Sequence, residues 1–199
     1  MKFAIIKERK NPPDRRVVFP PQLLEDASAK FPQAQFIVEP SNVRIFSDDA
    51  YRAAGFEVTS HIADADVMIG VKEVPINALI DSKKYFFFSH TIKKQPYNRG
   101  LLQAILDKNI ELYDHEVITN ENGGRLIGFG RYAGLVGTYN GIRAWGLKYD
   151  TWSLPKADDL PDLKGMLGEL NNVELPPIKI CLTGSGKVAG GSREILEHM

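Results

Sequence analysis

Three stretches deliver basic side chains straight after apolar runs. Arg15 and Arg16 lie in KERKNPPDRRVVFPP after FAII, Lys72 precedes Glu73 after VMIGV, and His90 stands with Lys93 and Lys94 after YFFFS. A guanidinium grips a carboxylate through two parallel hydrogen bonds, whereas a lysine or an imidazole in the same place can carry a proton near neutral pH. The set suits a substrate that bears carboxylates and a reaction that moves protons. Each group also has a plainer reading, in which Arg16 pairs with Asp14, Lys72 pairs with Glu73, and His90 caps a strand as an ordinary polar residue. The convergence of three separate loops favours the pocket.

A fourth stretch has the form of a phosphate site. KICLTGSGKVAGG runs from an apolar segment, 178–182, into a turn carrying Gly184, Gly186 and Gly190, and then into helical spacing over 187–196. Free N–H groups at such a helix start can hold the pyrophosphate of NAD or NADP. The spacing G-x-G-x-x-x-G is one residue longer than the commonest dinucleotide fingerprint, and taken alone it equally describes a glycine turn with no ligand. A strand–helix–strand unit takes about 30 residues, and nine follow Gly190. The expectation is an unfinished dinucleotide site in a longer enzyme, binding NAD(H) or NADP(H) weakly by itself, with the helix after Gly190 short of packing partners.

The elements that must position these groups follow a βα rhythm, the mark of a mostly parallel sheet. Strands are expected at 3–6, 35–38, 67–71, 85–89 and 110–113, and helices at 21–30, 48–54, 76–81 and 96–108. YFFFSH offers no polar face, which predicts a central strand covered on both sides. NENGG is a turn, and 126–129 reads as a further short strand. RYAGLVGTYNGIRAWGLKY predicts a long helix whose Gly134, Gly137, Gly141 and Gly146 permit close packing. Residues 150–177 read as a connection with one or two helical turns. The fold class is therefore α/β: a parallel-rich sheet flanked by helices over 1–130, a long helix and connection over 131–177, and over 178–199 the opening strand and helix of an incomplete Rossmann-type domain. Ligands of open α/β sheets sit at the carboxyl ends of the strands, where the basic loops fall.

Composition narrows the partners. The 199 residues carry 25 basic and 25 acidic side chains, and that balance argues against nucleic acid or an anionic membrane as the main partner. Cys181, the one cysteine, lies in the apolar 178–182 run and reads as a buried packing residue. MKFAIIKE enters a strand pattern directly, with no signal peptide and no run long enough to span a bilayer, so cytoplasm is the expected compartment. Small molecules are the expected partners, and a homo-oligomer stays open.

YFFFSHTIKKQPYNRGLLQAILDKNIELYD, continued by GGRLIGFGRYAGLVGTYNGIRAWGLK, resembles the lysine-ketoglutarate reductase and lysine-forming saccharopine dehydrogenase group, relatives of alanine dehydrogenase and of the nicotinamide nucleotide transhydrogenase domain. VMIGVKEVP, KNPPDRRVVFPP and TGSGKVAGG agree with it. The resemblance implies the N-terminal part of a two-domain α/β oxidoreductase that condenses lysine with 2-oxoglutarate and reduces the imine to saccharopine with NAD or NADP, or runs the reverse. It assigns Lys72 as the acid–base lysine, His90 as the catalytic histidine, Arg16 as the carboxylate-binding arginine, and Lys93 and Arg125 as positions near the substrate. It carries Gly184, Gly186 and Gly190 as cofactor contacts and implies no metal. Two alternatives stand beside it: an alanine-dehydrogenase-like enzyme acting on a smaller oxo acid, and a binding or regulatory module without catalysis.

Overall fold

Short apolar runs bounded by turn residues become parallel strands in the computed structural model, which describes residues 1–199. In chain order the elements are β1 (Lys2–Ile5), α1 (Pro21–Lys30), β2 (Gln35–Val38), α2 (Asp48–Ala53), β3 (Glu57–Val58), β4 (Val67–Lys72), β5 (Lys84–Phe88), α3 (Arg99–Asp107), β6 (Glu111–Asp114), α4 (Gly130–Tyr149), α5 (Leu163–Leu170) and α6 (Lys187–His198). Two compact units result, Met1–Ile127 and Gly128–Met199.

The first unit is a six-stranded sheet in the order β3-β2-β1-β4-β5-β6, and every pairing is parallel. Starting from β1 the chain winds outward to β3, then returns to lay β4 on the other side of β1. The winding reverses between β1 and β4, and in such sheets that reversal opens a crevice at the carboxyl ends of the two strands. Neighbouring residues explain why helices cover both faces. Ala4, Ile37, Met68, Tyr85 and Phe87 join one apolar cluster with Leu101 and Ile105, while Ile5, Val38, Val67 and Ile69 join another with Leu24 and Tyr51. Successive strand residues point to opposite faces, so a strand apolar at every position must be covered twice.

Local chemistry sets the helix starts. Pro21 opens α1, where a missing N–H costs nothing. Ser47 caps α2 by accepting from the Ala50 N–H, with Asp48 and Asp49 in the first turn. Tyr51, fully buried, donates its hydroxyl proton to the Phe19 carbonyl at 2.8 Å.

In the second unit α4 packs against α6 at unusually close range. A Cβ on Gly134 would collide with the Val188 carbonyl, and one on Gly191 with the Arg131 carbonyl. Gly146 leaves room for Trp152, whose indole N–H donates to the Ile142 carbonyl at 3.1 Å. Leu135, Tyr139, Ile142, Met166, Leu170 and Ile195 form the core here. No helix is long and apolar enough to cross a membrane.

Several expectations are corrected. The helix expected at 76–81 is a single 3₁₀ turn, Ile76–Ala78, because Leu79 turns extended and the Ile80 N–H goes to the Tyr85 hydroxyl at 2.9 Å. Residues 126–129 are no strand: the Leu126 N–H reaches the Ile118 carbonyl, one bridge joins Thr119 to Arg125, and the pairing goes no further. Residues 178–182 form no strand either and join no sheet. Cys181 is consequently exposed rather than a packing residue. β5 lies one strand in from the β6 edge rather than at the centre. The helix through Gly190 does not lack partners, for α6 buries Ala189, Gly191 and Ile195. Gly137 and Gly141 border open space and mediate no close packing.

Candidate functional site

Because all six strands are parallel, their carboxyl ends share one edge, and the loops after β1, β4, β5 and β6 all leave from it. At the crevice, β1 is followed by the loop that carries Glu8, Asp14 and Arg16. Buried Glu39, just past β2, anchors this loop by accepting from the Lys7 N–H at 2.9 Å and from the Arg9 guanidinium. Asp14 takes two hydrogen bonds from the Arg16 side chain, from Nε at 2.8 Å and from Nη2 at 2.5 Å. Those bonds hold the Asp14 carboxyl below the usual range against the opposing effect of burial, and they raise Arg16 further. The pairing of Arg16 with Asp14 read from the sequence is thus present, and it fixes the plane of the guanidinium.

Lys72 ends β4 on the other lip of the crevice and is half-buried. Its positive charge lies close enough to Asp14 to help lower that carboxyl. The pairing with Glu73 does not form, because Glu73 binds Lys10 instead. Glu8 accepts from two successive amides, Val71 N–H at 2.7 Å and Lys72 N–H at 2.9 Å. Burial raises the Glu8 carboxyl above its usual range despite those two bonds.

A second group gathers at the ends of β5 and β6. His90 adopts a left-handed backbone with φ 58°, a strained conformation costing on the order of 1–3 kcal/mol away from glycine. Asn98 holds the turn by donating to the His90 carbonyl at 3.1 Å, and buried Ser89 donates its hydroxyl to Asp114. Glu116, its side chain 10% exposed, collects three basic side chains: His90 Nδ1 at 3.0 Å, Lys93 Nζ at 3.3 Å and Arg125 Nη2 at 3.4 Å. Burial pushes the Glu116 carboxyl up, but the bonds and charges of His90 and Lys93 outweigh it and leave the group below its usual range. Lys93 also lies 3.2 Å from His90 Nδ1. The fold therefore joins His90, Lys93 and Arg125 in one network and sets Lys72 with Arg16 in another.

Glu8, His115 and Glu116 escape the sequence reading. His115 is 5% exposed, and its ring crosses β5 to reach the Gly70 carbonyl through Nε2 at 3.1 Å. The signal for the two residues past β6 is present in the sequence, since Asp114-His115-Glu116 follows an expected strand as directly as the basic loops do. Glu8 likewise stands directly after β1.

The second unit keeps the glycine turn and helix start expected of a phosphate site. Gly184 has φ 87°, Gly186 begins α6 with no side-chain cap, and the first turn holds no acidic residue. Around Gly184, Gly186 and Gly190 a Cβ would meet nothing within 4 Å, and the Gly190 N–H is given to the Gly186 carbonyl at 2.9 Å, so it is the helix start before it that faces open space. An apolar cavity of about 480 Å³ lined by Met1, Phe3, Phe31 and Phe36 lies at the amino-terminal edge of the sheet and holds no titratable side chain.

The family described as alanine dehydrogenase/PNT, N-terminal domain, matches residues 4–136. A mouse protein named alpha-aminoadipic semialdehyde synthase, mitochondrial, is 34% identical over 185 residues, covering 82% of this chain and 20% of its own length. The Candida glabrata saccharopine dehydrogenase [NAD(+), L-lysine-forming] is 30% identical over 159 residues, covering 75% of this chain and 42% of its own length. Among solved structures, an L-alanine dehydrogenase superposes with a TM-score of 0.60 at 17% identity over 75% of this chain and 42% of its own, a likeness of fold. The chain thus spans well under half the length of these relatives.

Proposed function

From a chain that belongs to the alanine dehydrogenase/PNT N-terminal domain family, we propose the substrate-binding part of a nicotinamide-dependent oxidoreductase that joins lysine to 2-oxoglutarate, or runs the reverse. The observation that carries the reading is the crevice between β1 and β4, lined by Lys72 and by Arg16 held in plane by Asp14. Arg16 binds the carboxylate of the 2-oxo acid. Lys72 carries protons to and from the oxygen lost when the carbinolamine dehydrates, a step that needs a positioned acid–base group. At the β5 and β6 ends, Lys93 and Arg125 gather on Glu116. A basic pair held there suits a second substrate carboxylate. His90, oriented by Glu116, hydrogen-bonds the reacting amino acid.

Gly184, Gly186 and Gly190 would hold the phosphates of NAD or NADP, which when bound gives or takes the hydride. The name of the C. glabrata relative points to NAD(+). The glycine turn supplies phosphate contacts alone, so calorimetric titration of the 199-residue chain is expected to show weak binding of either dinucleotide. Kinetics of the full-length gene product test the whole reading. Reduced cofactor should be consumed with lysine plus 2-oxoglutarate, whereas turnover with pyruvate plus ammonia alone would transfer the assignment to an alanine-dehydrogenase-like enzyme. Loss of turnover with every pair would mark a module without catalysis.

A further inference from the structure

The pairing of β4 with β5 breaks just before Lys72. Ile69 stands opposite Phe86 and Lys72 opposite Phe88, so three residue steps on β4 face two on β5. An extra residue of this kind leaves backbone groups out of the ladder, and buried ones need other partners. Here side chains from two other strand ends supply them. The Glu8 carboxylate, arriving after β1, accepts from both the Val71 and Lys72 amides. The His115 ring, arriving after β6, donates to the Gly70 carbonyl. A carbonyl can only accept, so Nε2 bears a proton, which in the neutral ring leaves the lone pair on Nδ1, an atom buried without a partner. Gly70 completes the fit, because a Cβ there would lie 3.0 Å from Ile6 Cγ1 and 3.3 Å from the Glu8 carboxylate.

We infer that Glu8 and His115 are positioning residues that fasten the bulged end of β4 from both sides and so hold the Lys72 ammonium at the crevice. The inference rests on Lys72 being the proton carrier. Neither residue reaches the reacting atoms; each acts through the β4 backbone. Their chemistry is specific in direction, since the β4 end needs one acceptor for two amides and one donor for a carbonyl.

The test uses the full-length gene product with three substitutions of His115. Phe keeps the ring against Phe88 but has no donor, Gln places an N–H near the position of Nε2, and Asn ends where Nδ1 was. Misplacing a reacting group by about 1 Å costs up to roughly 10²-fold in rate, so His115→Phe should lower kcat on the order of 10- to 100-fold with the cofactor KM unchanged. His115→Gln should recover most of that loss and His115→Asn should not. Glu8→Gln should speed hydrogen exchange at the Val71 or Lys72 amide, because a carboxamide offers one acceptor oxygen where the carboxylate offers two. A readout independent of turnover follows the NMR signal of Lys72 after reductive ¹³C-methylation. That signal should narrow toward those of exposed lysines in His115→Phe and stay broad in His115→Gln. An unchanged Lys72 signal and kcat in His115→Phe, or equal recovery by Asn and Gln, would overturn the inference. If Lys72→Met itself left turnover intact, the catalytic reading would fall instead, and the methyl signal would still report whether the fastening exists.

Discussion

Two groups of charged side chains share one edge of the sheet, and they are built differently. At the β4 end Lys72 is held through the backbone: Glu8 accepts from two β4 amides, and Glu73 is taken by Lys10 rather than by Lys72. At the β5 and β6 ends the bonds run between side chains, with His90, Lys93 and Arg125 all on Glu116. A cation fixed by its backbone and left out of strong pairs can exchange protons, whereas cations shared around one carboxylate are suited to making a field. On the proposed function, proton transfer falls to Lys72, and substrate attraction falls to Arg16 and to the basic side chains of the second group.

The largest effect that would sharpen this contrast is on turnover. A positioned acid–base group contributes about 10²- to 10⁴-fold, so Lys72→Met in the full-length gene product should cost that much kcat, and His90→Gln should cost less. Equal losses would erase the distinction. Next comes Arg16→Ala, which should raise the KM for the 2-oxo acid roughly 10- to 100-fold, the worth of hydrogen bonds to a charged group, while kcat changes little. A fall in kcat with KM unchanged would give Arg16 a part in proton transfer beside Lys72.

Glu116→Gln probes the second group through stability. Stranding the cations should lower the free energy of urea unfolding by about 1–3 kcal/mol at neutral pH. The sign with pH follows from its lowered carboxyl: the stabilisation is complete above the ordinary glutamate range and is lost as pH falls through the folded value. Wild type and variant should converge in acid. The smallest effect belongs to His115, whose imidazole is lowered chiefly by burial, against the Gly70 bond and the Asp114 charge. Its neutral form is favoured in the fold, so its contribution is present above an unfolded value of about 6.5 and declines as pH drops through the lower folded value. His115→Gln should flatten that decline between pH 7.5 and 5.5 in urea titrations.

The strands that carry the site were legible because VMIGV, YFFF and FAII are apolar at every position, as a doubly covered strand requires. β3 was not, since Glu57–Val58 is too short to show a period. The run at 178–182 misled for the opposite reason: apolar character marks a segment able to join a sheet, but a strand also needs a partner beside it. Of the site, Arg16, Lys72 and His90 could be found from their place after strands. Their partners could not be chosen. Asp14 beside Arg16 and Glu73 beside Lys72 looked equivalent in sequence, yet only the first pair forms, because Lys10 from the β1 loop takes Glu73. Glu116 and Arg125 are separated by nine positions whose turn no periodicity describes.

The α4 and α6 contact has a consequence in inheritance. Gly134 and Gly191 each meet the backbone of the opposite helix with no room for a single carbon. Every one-nucleotide change that replaces a glycine codon by that of another amino acid adds at least a Cβ. At these two codons no conservative missense step exists, and drift among related genes should leave both unchanged while Gly137 and Gly141, which border open space, vary.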